Sequence, residues 1–336
     1  MKNKKGQGEQ FNWIFVIVSG AIILGFFTMF SFKYITLQES REDLQSMREL
    51  GSALDSLQKL SIGDGPTGAA ITSNNPGQGI MFGYILNLGY TCTESKSTLN
   101  INNPQYSSYD ITDNIIFTRT TQQVNRIDLW MIPWQLPFHI TNIIYISDPE
   151  RTYYLVSDQS PKNLQYVKEL YDKLDGKAIF NNPKNQNLNK IELNKLTSLK
   201  PKSTIIYFTN QEPEIPKNLE TENTNFVYIN LDNQEVEFYD IKWSEPVKYP
   251  SQEIMYGTFF SDNKQQYECT TIQSLQRLKD TTAIYIEKAR ILEQMTTNCQ
   301  YQTTISSLRK LTNEDYSQLN DLEEINKPGA GCPWVF

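Results

Sequence analysis

The chain predicts a mixed α/β domain (α+β or α/β) carried behind one N-terminal transmembrane helix. Three features lead there: an uncharged run from Phe11 to Phe32, a series of short apolar strands between residues 79 and 150, and a change to strand–helix alternation from 152 to 231. Long helices close the chain. Of the 336 residues, roughly 300 lie beyond the membrane segment, enough for one large or two medium domains.

The run Phe11–Phe32 holds 22 consecutive positions without a charge. A helix needs about 20 residues, at 1.5 Å rise each, to cross a bilayer. Its few polar members are Asn12 and scattered Ser and Thr, whose hydroxyls a helix satisfies internally. Lys2, Lys4 and Lys5 precede it, with only Glu9 nearby, whereas Lys33 is soon followed by Glu39, Arg41, Glu42 and Asp43. The positive-inside bias makes residues 1–10 a cytoplasmic leader and places the C-terminal part outside the cell membrane. A secretory signal peptide has a shorter apolar region and a small-residue cleavage site, and neither is found, so a permanent single-pass anchor over 11–32 is expected.

From residue 33 to 60 the apolar residues Leu37, Leu44, Met47, Leu50, Leu54 and Leu57 recur at mostly three- and four-residue steps. This predicts an amphipathic helix continuous with the anchor, its stripe packed on the chain's own domain or on a partner helix. The glycines and prolines of 61–79 break it. Gly63 to Gly68 resembles a phosphate-cradling loop only loosely, because the G-K-[ST] ending is missing, and a plain turn is expected.

Between 79 and 150 the segments 80–91, 113–120, 126–133 and 142–147 read as strands. Trp130, Pro133, Trp134, Pro137 and Phe138 form an aromatic–proline patch, either a partner surface or the core edge of a β-rich layer. Beyond 150 the period changes. A strand at 152–157, a helix starting at Ser160-Pro161, a strand at 177–180, a helix near 191–199 and strands at 203–210 and 225–231 alternate, as in a parallel or mixed sheet covered by helices. This layer resembles a small Rossmann- or flavodoxin-like sheet, without a glycine-rich nucleotide fingerprint. Ligands of such sheets bind outside the carboxyl ends of the strands. Here those ends carry Ser157 and Asp158, and Thr209 and Asn210, which also suit plain turn and cap duty.

The segments 235–243 and 253–260 extend the predicted β content. A long amphipathic helix then spans Tyr267 to Met295, and a shorter one Thr304 to Leu311. The mixed domain is thus expected over 61–325, with a glycine- and proline-rich tail at 326–336 held in place only by Cys332 or Trp334. The four cysteines, Cys92, Cys269, Cys299 and Cys332, lack metal-ligand spacing and read as disulfides of an extracytoplasmic domain. Sequence proximity favours Cys269–Cys299 with Cys92–Cys332. A straight helix would hold Cys269 and Cys299 some 45 Å apart, against about 7 Å for a bridge. That pairing therefore requires a break near Asp280-Thr281-Thr282; without one, each cysteine needs another partner, such as Cys92 or Cys332.

A net charge of −7 argues against a nucleic-acid surface. Hydrophobic content of 39% is enough for a folded core. No Asn-x-Ser/Thr acceptor occurs. His139, the one histidine, has no companion base, and Walker A, H-E-x-x-H and G-x-S-x-G patterns are missing. The acidic pairs Asp148/Glu150 and Glu212/Glu214 sit in turns and read as solvated charge. No catalytic residue, cofactor or metal is therefore expected.

Lys4-Lys5-Gly6-Gln7 before the apolar helix resembles the class III signal peptides of archaeal type IV pilins and archaellins. That resemblance implies cleavage between Gly6 and Gln7 and a helix that packs into a filament core. Such cleavage would place Phe11 at the fifth mature position and Glu9 at the third, whereas bacterial-type pilins carry a glutamate at the fifth. The first 30 residues are also similar to uncharacterised single-pass membrane proteins of small-genome archaea. Three functions follow as expectations. The first is a membrane-anchored extracytoplasmic protein that binds or scaffolds another envelope component. The second is a pilin-like subunit that self-assembles. The third is a solute-binding domain or ectoenzyme using the sheet edge.

Overall fold

A single helix, α1 (Gly6–Leu60), runs unbroken for 55 residues in the computed structural model. The structure describes residues 6–60, 79–93, 96–102, 107–111, 114–136, 138–158, 160–174, 186–189, 202–219, 224–296, 299–312, 326 and 332–336. The leader before Gly6, the break at 61–78, the expected strand at 177–180, the expected helix at 191–199 and tail residues 327–331 lie outside these. The first half of α1 exposes Trp13, Phe15, Leu24, Phe27 and Phe30, and is long and apolar enough to cross a membrane. In the second half Met47, Leu50 and Leu54 are buried against the chain's own first sheet, which settles where this part of the stripe packs. Leu37 and Leu44, nearer the apolar half, stay exposed.

Polar contacts fix the docking of α1. The Asp43 carboxylate accepts from the Tyr84 hydroxyl at 2.8 Å and from Asn102 Nδ2 at 2.7 Å, and Tyr109 donates to Asp55 at 2.7 Å. Gly51 permits the approach, since a Cβ there would meet the Tyr109 ring at 3.0 Å.

The first sheet contains β1 (Gly79–Thr93), β2 (Lys96–Ile101), β3 (Ser108–Ile111), β4 (Ile115–Phe117), β5 (Thr121–Gln135) and β6 (His139–Ser147). Their order is β3-β2-β1-β5-β6-β4, antiparallel except where β4 runs parallel to β6. β2 and β3 have no counterpart in the expected strands, because Lys96-Ser97-Thr98 and Ser108-Tyr109-Asp110 are too polar to mark them. One face of the sheet takes Leu88, Leu99, Val124 and Ile144 to α1; the other takes Trp130, Trp134, Ile143 and Tyr145 to the main core.

The second sheet contains β7 (Thr152–Ser157), β8 (Gln186–Asn189), β9 (Ser203–Phe208), β10 (Thr224–Asn230), β11 (Glu235–Tyr239) and β12 (Val247–Lys248), in the order β8-β7-β9-β10-β11-β12. The first four are parallel and the last two antiparallel. β7, β9 and β10 are buried nearly throughout, as a sheet covered on both faces requires. Helix α2 (Pro161–Leu174) follows β7 and buries Val167 and Leu170 on the face shared with Leu155, Ile206 and Phe208.

Between the sheets lie α3 (Gln252–Phe260), α4 (Lys264–Met295) and α5 (Gln302–Thr312). The strand expected at 253–260 is thus a helix. Its residues Ile254 to Phe260 are all buried, and an apolar run buried on every side carries no period to separate helix from strand. Ser251 caps it, accepting from the Ile254 amide at 3.4 Å. α4 is unbroken through Asp280-Thr281-Thr282, where Thr282 Oγ1 donates to Leu278 O at 2.7 Å. The disulfides are accordingly Cys92–Cys269 and Cys299–Cys332, with Cα separations of 6.1 and 5.8 Å, and not the pairing that proximity favoured. One ties β1 to α4. The other, with the Asn326 side chain accepting from the Val335 and Phe336 amides at 2.9 Å, holds the tail, while Trp334 is largely exposed.

Gly257 gives a direct test of this core. Alanine there would gain about 1 kcal/mol of helix propensity. Its Cβ would also stand 2.3 Å from the Phe117 ring, and overpacking typically costs about 1–3 kcal/mol or more. The clash wins: Gly257→Ala is expected to lower the denaturant midpoint of the full chain, whereas a raised midpoint would show that α3 does not press on Phe117.

Candidate functional site

In the second sheet β7 is flanked by β8 on one side and β9 on the other, so the strand order reverses between β7 and β9. Such a reversal opens a crevice at the carboxyl ends of the two diverging strands. A cleft of about 380 Å³ lies there, lined among others by Ser157, Asp158, Ser160, Tyr207, Thr209 and Asn210. All four residues expected at the ligand edge are brought together.

Local sequence builds each wall. The Asp158 amide donates to Phe208 O at 3.2 Å, locking the β7 end to β9. Its carboxylate accepts from the Ser160 amide at 2.9 Å and from Asn163 Nδ2 at 3.2 Å, an Asx turn that starts α2. Pro161 then takes the first helical position. On the other wall Thr209 Oγ1 accepts from the Gln211 amide at 3.2 Å, and Trp243 Nε1 donates to Pro213 O at 3.0 Å. Asn230 turns the chain after β10 by accepting from the Asp232 and Asn233 amides at 3.0 and 3.1 Å. That turn carries Asp232 to both Lys162 and Asn210, whose side chains donate to it. The Lys162 hydrogen bond holds the Asp232 carboxyl below the usual carboxylate range.

Turn and cap duty thus occupies Asp158 and Thr209, and Asn210 is tied to Asp232. Two buried hydroxyls nearby have no partner, and strand alternation puts them on opposite faces, Ser157 with Tyr153 and Leu155, Tyr207 with Tyr154 and Val156. Ser157 and Tyr207 are 1% and 3% exposed, and neither hydroxyl has a protein hydrogen-bond partner. Burial pushes the Tyr207 hydroxyl far above its ordinary pKa, so it is a neutral donor at any physiological pH. A buried hydroxyl without a partner costs roughly 1–3 kcal/mol. Sequence reasoning missed Tyr207, which looks like any other apolar member of STIIYF; Lys162 and Asp232 were missed because they meet 70 residues apart.

The other candidates fall elsewhere. Trp130, Trp134 and Phe138 are 8%, 0% and 4% exposed, so they form core and not a displayed partner surface. Strand alternation sends Trp130 and Trp134 inward together, where Trp130 packs on Tyr145 at 4.8 Å and Phe138 on Tyr285 at 4.4 Å; Pro137 lies outside the described residues. His139 is exposed, with Nε2 at 3.2 Å from Asn142 Oδ1. Asp148 and Glu150 both pair with Lys202, at 2.8 and 3.2 Å. Glu212 lines the cleft, and Glu214 is exposed nearby in sequence. Gly6 and Gln7 open α1. A second hollow, along α1 from Gln45 to Ser56, is a stretch of mostly exposed helix surface. Among the described residues no cluster of His, Cys, Asp and Glu could hold a metal ion.

Removing the Tyr207 hydroxyl should relieve an unmet buried dipole. Tyr207→Phe is expected to leave the ligand-free protein as stable as before, or more stable by up to about 1 kcal/mol; a loss of several kcal/mol in chemical denaturation would show that the hydroxyl has a structural partner. Comparison of the chain with protein-family models, curated proteins and solved structures finds no match.

Proposed function

We propose that the chain is a single-pass membrane protein whose folded body lies outside the cell membrane and binds a small polar ligand at the carboxyl edge of β7 and β9. In this reading the parallel layer follows the Rossmann- or flavodoxin-like plan, since its four parallel strands lie with the second strand before the first, ahead of the third and fourth. The observation that carries the proposal is the cleft at the crossover point, lined by the polar strand-end residues Ser157, Asp158, Ser160, Thr209 and Asn210. Two disulfides support the extracytoplasmic address, because such bonds persist in oxidising compartments. In this reading the role is binding, with Asp158 and Thr209 committed to turn hydrogen bonds.

A thermal-unfolding screen of the full chain in detergent against polar metabolites tests this. A ligand that raises the midpoint of the native protein should do so less in Tyr207→Phe and Ser157→Ala. Stabilisation that is identical in both variants would place the ligand elsewhere and sink the proposal.

One observation favours a second reading, a filament subunit processed after Gly6. The apolar half of α1 is exposed at nearly every described position and continuous with the half that packs on the antiparallel sheet, so it offers a bare rod to other copies as readily as to lipid. Intact-mass measurement of protein from its native membrane separates the two. A chain starting at Gln7 supports the filament; a retained Met1 or Lys2 leaves a permanent anchor.

A further inference from the structure

No hinge separates the apolar run of α1 from the folded body. The helix is continuous from Gly6 to Leu60. Its upper half is held by Asp43 to Tyr84 and Asn102, by Asp55 to Tyr109, and by Met47, Leu50 and Leu54 against the first sheet. The same contacts give the sheet a direction. Tyr109 pairs across to Leu99 of β2, and Leu99 to Tyr90 of β1. Climbing α1 from Asp43 to Asp55 therefore climbs β1 from Tyr84 to the level of Tyr90. Descending α1 toward the apolar run leads to the start of β1 at Gly79.

Rise per residue turns that direction into a depth. Asp43 follows Phe32 by 11 residues, about 16 Å of helix. Met81 precedes Tyr84 by three residues, about 10 Å of strand. Met81 then stands about 6 Å beyond the level of Phe32, where the uncharged run ends. The headgroup layer on each side of a bilayer is about 5–7 Å thick, half the difference between a full width of about 40–45 Å and a hydrocarbon core of about 30 Å. The start of β1 reaches that layer.

What β1 presents there is apolar. Phe82 and Leu86 are buried toward α1, whereas Met81 and Ile85, on alternate positions, are 75% and 71% exposed. The ladder to β5 is interrupted between Met81 and Leu86, where Phe82 to Ile85 stand opposite Asn125 alone. Such a bulge bends the strand out of the sheet. Bare apolar surface also runs up α1 from the membrane run, through Phe30, Tyr34 and Leu37. A single exposed methionine on a protein surface calls for no explanation. One at headgroup depth, on a body joined to the anchor by an unbroken helix, has lipid within reach to cover it.

Resting on the single-pass reading above, we infer that the start of β1 is a second membrane contact, with Met81 seated in the headgroup layer of the outer leaflet, so that the body rests on the bilayer and does not stand clear of it. Three methionines of the native chain test this. Met29 lies in the apolar half of α1, Met81 on β1 and Met295 at the end of α4, and they are 60%, 75% and 76% exposed in the chain alone. The full chain in phosphatidylcholine vesicles is treated with a membrane-impermeant oxidant, and sulfoxide at each methionine is followed by peptide mass spectrometry. Met29 and Met81 should both oxidise at least about threefold more slowly than Met295, since oxidation follows exposure. Protection of Met29 while Met81 and Met295 react alike would overturn the inference and leave the anchor standing. Unprotected Met29 would remove the anchor reading, and the inference with it. Protection of Met81 that fades as the protein is diluted in lipid would also overturn it, because the cover would then be a second copy of the chain.

Discussion

Phe117 and Gly257 meet so closely that α3 and the sheet carrying Phe117 have to be assembled together. A Cβ on residue 257 would fall within 2.3 Å of the Phe117 ring. Around that contact Tyr145, Trp130, Tyr153 and Phe260 pack ring against ring, with centroid separations from 4.8 to 6.3 Å. These rings come from both sheets and from α3. The two sheets therefore share one core, and the parallel layer is held at a fixed place instead of swinging as a separate domain. The Cys92–Cys269 bridge adds a covalent tie between β1 and α4.

Once the parallel layer is fixed, its crossover order determines where a crevice opens, and turn chemistry determines what lines it. Asp158 and Thr209 serve the backbone, so they shape the cleft without offering much to a ligand. Tyr207 and Ser157 pair in the ladder, and the Tyr207 ring packs on Trp243, but their hydroxyls are buried without partners. A polar group kept at such a cost is a stronger pointer to binding than any of the surface carboxylates.

Much of this was legible from residue order. The uncharged run, the stripe Met47-Leu50-Leu54 and the apolar segments at 152–157, 161–174, 203–208 and 224–230 each produced the expected element, while 177–180 and 191–199 lie outside the described residues. Legibility failed where burial erases periodicity. Residues 253–260 read as a strand because every position is apolar, and only the Ser251 cap marks the helix. It failed again at the edge strands β2 and β3, which are held by pairing and not by apolar content. The aromatic residues at 130–138 were ambiguous because composition does not reveal which face of β5 is covered. The cleft was half legible: strand ends named Ser157, Asp158, Thr209 and Asn210, while Tyr207, Lys162 and Asp232 depend on contacts that only the fold creates.

The most direct test of the binding proposal is a high-resolution density map of the full chain purified gently from its native membrane. Non-protein density in the cleft lined by Asp158, Ser160, Thr209 and Asn210, shaped as a small polar molecule, is the expected result. A cleft filled only by ordered water would contradict the proposal and leave the strand-end residues with a purely structural role.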